Sequence, residues 1–363
     1  MNQKSMFQSR TKRLIGMILL FLLTLLLITS CGQQDKTKHV GMLLGLPGVD
    51  YIGDNFKTAM AELGYVEDED ITYDIRVMGF DVEAQRAALQ DFVDADVDLI
   101  YVFPTEPTVL AKEVTAGTDI PVVFDNAWID DLGIVDSIRE PGGNLTGVRY
   151  PTDIPIGRFE VMMQLLPDAK RLVIPHILGY PIAQPQIEAI TEVAEARGVT
   201  IIPLPVTTSE ELAAGLEQFV TEDGSVDIDG ILFIAGPLVG TPGMPETLLA
   251  FGEEHQLPMG GSSFFSEGYN SMFALESDFF TIGIDVAPTA DKILQGVAPG
   301  SIPVTSSEDT LTVLLYQVEA LGLEAPEELL IAADTVLREP FVFEPLPEGE
   351  VPADAAPAED GNG

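Results

Sequence analysis

Apolar and polar positions along this chain alternate between two periods. Val40-Gly-Met-Leu-Leu44 is an unbroken apolar run of strand length. Residues 55–63 then set Phe56, Met60 and Leu63 at helical spacing ahead of Gly64, a helix stop. Residues 71–77 alternate as a strand, and 82–93 return to the helical period. Leu99-Ile-Tyr-Val-Phe103 reads as a buried strand stopped by Pro104, followed by a helix over 105–115 and the strand Val122-Val-Phe124. Strands alternating with helices over short connections predict parallel βαβ units.

Pro141-Gly-Gly-Asn-Leu-Thr-Gly147 breaks the rhythm with turn residues, after which it resumes. Helices are predicted near 156–166, 182–197, 210–220 and 245–255, with strands at 172–174, 200–202, 230–234 and 272–275. A last long helix is predicted over 279–294, and the elements after 301 are short and mixed. Two such series around a turn-rich crossover predict an α/β protein with two similar open parallel sheets. No short repeat of solenoid type is visible.

The chain begins differently. Lys4, Arg10, Lys12 and Arg13 precede an apolar run over 14–28 that ends at Thr29-Ser30-Cys31-Gly32. A helix of that length rises about 22 Å, short of a bilayer core of roughly 30 Å. Basic flank, short apolar centre and small residues at its end predict an export signal. The small pair before Cys31 resembles the lipobox of bacterial lipoproteins, which implies cleavage that leaves Cys31 as a lipid-bearing first residue. The other reading is an uncleaved signal anchor with Cys31 incidental. Cys31 is the single cysteine of 363 residues, so no internal disulfide is available. Residues 1–31 thus read as leader and lipobox and 32–38 as a polar tether. The expected location is extracytoplasmic, on a bacterial cell membrane through lipid, and durable anchoring needs more than one acyl chain.

An apolar content of 46% argues a folded body rather than disorder. Net charge is −40; four of the 18 basic residues sit in the leader, leaving 14 against 58 acids. Such a surface repels nucleic acid and anionic headgroups, so no nucleic-acid partner is expected and lipid must supply the membrane contact. The tail 344–363, with four prolines, six acids and no basic residue, reads as disordered.

Catalytic parts are missing. His39, His176 and His255 lie far apart, and no Gly-x-Ser-x-Gly, P-loop, His-Glu-x-x-His or metal-ligand spacing occurs. No cofactor or metal is expected, and the chain does not read as an enzyme. An exported hydrolase working through carboxylates such as Asp125 and Glu106 is the residual alternative.

Several segments resemble one family in order and spacing. They are 56–64 leading into Gly64-Tyr65-Val66-Glu67, Ile120-Pro-Val-Val-Phe124, Pro141-Gly-Gly-Asn-Leu-Thr-Gly-Val148, Leu165-Leu-Pro-Asp-Ala-Lys-Arg171, Asp278-Phe-Phe and Lys292-Ile-Leu-Gln-Gly296. Together, over about 38–338, the chain resembles the solute-binding lipoproteins of ABC transporters whose best-known members bind tryptophan or tyrosine. The resemblance implies a type I periplasmic-binding-protein fold, two open parallel-sheet lobes joined by a hinge, with 39–148 plus 276–304 in lobe 1 and 149–275 plus 305–343 in lobe 2. It implies a small organic ligand held between closing lobes, and an ABC permease and ATPase as partners. A ligand sensor serving a membrane receptor keeps the same fold. Three places depart from the family pattern: Asp125-Asn126 for a Thr-rich strand end, Ile177-Leu-Gly-Tyr180 for an Asn-Ser-type loop, and 236–243 for a Thr-Asp-Asn-like segment. They put the family's usual ligand in question.

In open parallel sheets, ligands meet the loops after the carboxyl ends of strands. That rule selects Pro47 and Asp50, Thr105 and Glu106, Asp125, Asn126 and Trp128, His176 and Tyr180, Gly236, and Ser262, Ser263 and Phe264; Asp278 is added at the start of the predicted last helix. Trp128 is either an aromatic wall or packing under its own loop, and Tyr180 and Phe264 carry the same two readings. Thr105 and Thr108 open a helix suited to a carboxylate, or Thr105 simply caps it. Asp125 pairs with an ammonium or is a solvated loop acid, and Asp278 is a ligand or a helix cap. Arg149, near the crossover, holds a carboxylate or supports the hinge. So few cations disfavour a multiply anionic ligand.

Overall fold

The computed structural model describes residues 36–262, 264 and 268–340. Cys31, Ser263 and the tail 344–363 lie outside the described residues. The first half of the chain runs β1 (Lys38–Leu44), α1 (Asp50–Glu62), β2 (Ile71–Val77), α2 (Val82–Asp94), β3 (Leu99–Phe103), α3 (Thr105–Val114), β4 (Val122–Ala127) and β5 (Leu145–Arg149). It continues as α4 (Ile154–Leu165), β6 (Arg171–Ile177), α5 (Ala183–Ala196), β7 (Thr200–Val206), α6 (Ser209–Glu217), β8 (Gly230–Leu232), α7 (Met244–His255) and β9 (Met259–Gly260). The last part comprises β10 (Phe273–Ser277), α8 (Ala287–Leu294), β11 (Thr305–Ser306), β12 (Asp309–Leu314), α9 (Leu315–Ala320), α10 (Glu327–Ala332) and β13 (Thr335–Leu337).

Two parallel sheets form the lobes. One is six-stranded in the order β11-β5-β4-β3-β1-β2, the other four-stranded in the order β7-β6-β8-β9. A third sheet, β10-β12-β13, pairs β10 and β12 antiparallel and lies against the second lobe, where Met272 and Phe273 join the core of α4 and α5. Each parallel sheet is covered on both faces, which is why inner strands such as β1, β3 and β6 carry unbroken apolar runs. Val40, Met42 and Leu44 of β1 point toward α1 and α8, among Ile52, Phe56 and Ile293, while Leu43 points the other way, among Leu89, Phe92 and Leu110 of α2 and α3. In β6, Leu172 and Ile174 face α4 and α5, and Val173 faces α6 and α7.

The chain crosses between the lobes three times: after β5, after β10 and after β11. Arg149 Nε donates to Ser306 Oγ at 3.0 Å, Ser307 N to the Arg149 carbonyl at 3.0 Å, and Asp278 N to the Glu308 carbonyl at 3.0 Å. Arg149 also reaches Asp130 at 3.2 Å, so of its two expected roles the hinge one is where its contacts lie. Because β11 pairs with β5, the third crossing follows Ser306 rather than residue 304. Residues 276–277 belong to β10, outside the first lobe's sheet.

The helix expected over 279–294 is half turn. Residues 279–286 form a string of turns, and α8 starts only at Ala287. Pro288 sits in the first turn of α8, where its missing N–H is harmless, whereas deeper in a helix it would clash with the preceding turn. Gly283 at φ 90° reverses the chain just before it.

Candidate functional site

The carboxyl ends of both sheets face one another across an interlobe cavity. The first lobe contributes Leu46, Phe103, Pro104, Thr105 and Asn126. The second contributes Arg158, Tyr180, Ile182, Gly236 and Ser262 among others, and the crossings contribute Tyr150, Glu276, Ser277 and Phe279. The cavity measures about 130 Å³. That is room for roughly four waters at about 30 Å³ each, and less than the roughly 300–1,000 Å³ of most small-molecule sites.

Asn126 reaches this position through a bulge. The β4–β5 register shifts between Phe124 and Ala127, and Asn126 takes φ 49°, a left-handed conformation that asparagine tolerates. Opposite the bulge, a Cβ on Gly147 would lie 1.9 Å from the Phe124 carbonyl oxygen, so only glycine lets the strands approach there. Asn126 Oδ1 accepts from Ser277 Oγ at 2.9 Å and Ser307 Oγ at 3.2 Å, joining two crossings to the cavity wall.

The bulge turns Asp125 away from the cavity. Its Oδ2 accepts from Tyr101 Oη at 3.0 Å and from Gly283 N at 2.8 Å, fastening the 279–286 turns to the first sheet. Asp125 is fully buried, and burial pushes its carboxyl up to about 7 against the lowering effect of these two donors. It is neither a solvated loop acid nor placed to meet a ligand.

Two groups in the cavity are unusual for a protein interior. Arg158 in α4 is 2% exposed. Its Nε donates to the Leu275 carbonyl at 2.8 Å and Nη1 to the Phe233 carbonyl at 3.3 Å, using two of five N–H groups. No carboxylate among the described residues forms an ion pair with it. The Tyr150 hydroxyl is also buried and has no hydrogen-bond partner among the described residues. Burial raises its phenol to about 12, with Arg158 pulling it down and Glu276 pushing it up, so it stays a donor at neutral pH. Glu276 lines the same cavity and accepts from Ser262 Oγ at Oε1.

Across the cleft, Tyr180 from the second lobe lines the cavity near Glu106 at the start of α3. Burial raises the Glu106 carboxyl, partly offset by its own backbone N–H and by the Tyr180 hydroxyl, and Glu106 Oε2 is buried with no hydrogen-bond partner among the described residues. Glu106 itself sits beside the cavity rather than on its wall.

Thr105, Asn126, Tyr180, Gly236 and Ser262 are thus the expected residues that line the cavity. Thr105 does not cap α3; its Oγ1 accepts from Trp128 N at 3.0 Å and so pins the end of β4. Trp128 packs behind the cavity against Tyr150, Ile154 and Ile182. Pro47 and Asp50 are exposed, because Leu46 is the residue of that loop that turns inward. His176 sets Nδ1 3.1 Å from the Ile174 carbonyl, outside the cavity lining. Phe264 is core, packed edge-on to Phe233 at 5.2 Å. Asp278 caps no helix, since none starts there; its Oδ1 accepts from Phe280 N at 2.9 Å within the turns. Arg158, Tyr150 and Glu276 are the residues that the strand-end rule passed over, because they come from a helix and from the crossings.

The family described as ABC transporter substrate binding protein matches residues 39–337. The chain belongs to this family. It is a binding protein and not an enzyme, and proteins of this family work outside the cytoplasm. A tyrosine-binding protein of Clostridioides difficile is 23% identical over 324 residues, 83% of this chain and 89% of that one. A Streptococcus pneumoniae protein solved in complex with L-Trp shares the fold at TM-score 0.71 and 21% identity, covering 83% of this chain and all of that one. A ligand-free, open substrate-binding protein with adhesive properties from Clostridium difficile gives TM-score 0.63 at 21% identity, over 84% of this chain and all of that one. The two-lobed α/β architecture of this substrate-binding protein is therefore the type I periplasmic-binding-protein fold.

Proposed function

We propose that this substrate-binding protein captures an amino-acid-like solute with an aromatic or branched side chain by lobe closure, and delivers it unaltered to the permease of an ABC importer. The observation that carries the reading is the interlobe cavity, which combines aromatic and aliphatic walls with one buried cation and one carboxylate. The ligands named for two relatives, tyrosine and L-Trp, are of the same chemical class. Closure of two lobes over a bound molecule is the hinge motion this architecture allows.

The same proposal places the protein on the membrane through a lipid-modified Cys31, supported by the basic, apolar and small-residue order of the leader. A mature N-terminus at Cys31 with an acyl mass on it is the expected finding; an intact leader in the envelope would remove that part.

A thermal-shift screen of the amino acids tests capture. A ligand at 100 times its dissociation constant adds about 2.7 kcal/mol of stability, readily seen as a raised Tm. No response to any small molecule would contradict capture.

A further inference from the structure

Arg158 and Tyr150 are two polar groups of the cavity wall whose hydrogen-bonding needs the described residues leave open. A cation buried to 2% exposure without an ion-pair partner among the described residues carries a desolvation penalty that a bound anion would offset. A buried hydroxyl without a partner adds its own, smaller one. Both line the same cavity, and the Arg158 charge pulls the Tyr150 phenol down. A guanidinium with N–H groups that bond none of the described residues, beside a phenol O–H, is a donor set for a planar anion with two oxygens.

The rest of the wall narrows the class. Glu276 shares the cavity, and Ser262 bonds one of its oxygens, which fixes a negative group near that donor set. A dianion would meet one cation and one carboxylate, a poor match. A zwitterion meets both. Phe103, Tyr180 and Phe279 supply apolar surface for the remainder of the ligand.

We propose that Arg158 and Tyr150 hold the α-carboxylate of a free amino acid while Glu276 faces its α-ammonium, so that the site reads the zwitterion and the aromatic wall reads the side chain. The assignment rests on the amino-acid reading of the cargo and adds which residues recognise it. It selects the free amino acid against its decarboxylated amine, its amide and peptides joined through the carboxyl group.

Calorimetric titration of the mature wild-type protein with L-tyrosine, L-tryptophan, L-phenylalanine and L-leucine is compared with tyramine and tryptamine. Whichever amino acid binds, removing its carboxylate is expected to weaken binding about 100-fold, the scale of a lost charged hydrogen-bond set. Tyr150→Phe, which keeps the ring, is expected to weaken the amino acid about tenfold and to leave the amine unchanged. Arg158→Gln is expected to abolish measurable amino-acid binding. Because Arg158 also bonds two carbonyls, its variant is read only if its circular dichroism matches wild type; the amines and Tyr150→Phe test the proposal without it. If an amino acid binds and its amine binds equally well, or Tyr150→Phe changes neither, the carboxylate assignment is overturned while capture stands. If none of the amino acids binds the folded protein, the cargo reading itself falls, and this assignment with it.

Discussion

Trp128 stacks on Tyr150, ring centroids 6.2 Å apart and planes 27° from parallel, so the chain's one tryptophan rests on a residue of the cavity wall. Its indole N–H donates to the Asp130 carbonyl at 3.2 Å, the residue that also receives Arg149 of the first crossing. Trp128 therefore sits between ligand site and hinge without lining the cavity. Ligand that moves Tyr150 changes the surroundings of the indole. We expect a saturable change in tryptophan emission on adding L-tyrosine, excited where tyrosine does not absorb. Calorimetric binding with no change in emission would contradict this placement.

Asp125 makes stability depend on pH in a defined direction. Its carboxyl is raised in the folded protein to about 7 from an ordinary value of 3.8, so between those values the folded state holds a proton that the unfolded state has lost. This group's contribution therefore falls as pH rises from about 4 to about 7 and is lowest above 7. Tyr101 and Gly283 donate to it, and Asp285 adds a repulsion that favours the protonated form. The full swing is on the order of 4 kcal/mol. Denaturant unfolding at pH 5 and pH 8 should show a smaller decline in Asp125→Asn than in wild type; identical declines would contradict the buried titration.

Tyr180 and Glu106 belong to different lobes, so the influence of each on the other's proton affinity exists only when the lobes are together. Tyr180→Phe keeps the ring on the cavity wall and removes the hydroxyl that faces the Glu106 carboxyl across the cleft. We expect ligand to dissociate about 3- to 10-fold faster, with association nearly unchanged. Stopped-flow release measures this. A change confined to association would place the hydroxyl outside closure.

Gly283 carries two constraints at once. It has φ 90°, and an added Cβ would stand 2.5 Å from the Ile52 carbonyl oxygen and 3.0 Å from Phe56 N. Neither neighbour is a flexible side chain, so Gly283→Ala must shift the turns away from α1 and loosen the Asp125 bond. A loss of at least about 2 kcal/mol is expected from strain and overlap together. Denaturant melts read it directly, and a wild-type midpoint would show that the turns accommodate a methyl group.

The strands were legible because a sheet covered on both faces asks for unbroken apolar runs, as at Val40–Leu44 and Leu99–Phe103. The strand-end rule placed Thr105, Asn126, Tyr180, Gly236 and Ser262 where the lobes meet. It failed at Asp125 because a bulge swaps which residue of the 125–126 pair faces the cavity, and nothing in the residue types announces a bulge. Arg158 was hidden inside a helix. A signal for it did exist: α4 is buried over most of its surface, at Ile154, Phe159, Val161, Met162, Met163 and Leu165, with only Glu160 and Gln164 exposed, and Arg158 lies on the far side of the helix from Glu160, where a charge has to be interior. The last helix was read long because 279–286 is rich in helix-compatible apolar residues; Gly283 and Pro288 are what move its start to Ala287.

Native mass spectrometry of the mature protein, incubated with an equimolar mixture of the amino acids and desalted, tests the clamp most directly. We expect one added mass per chain, equal to an unmodified aromatic or branched amino acid and lost on mild activation. A chain that keeps its apo mass throughout, or returns a chemically altered molecule, would contradict capture without conversion.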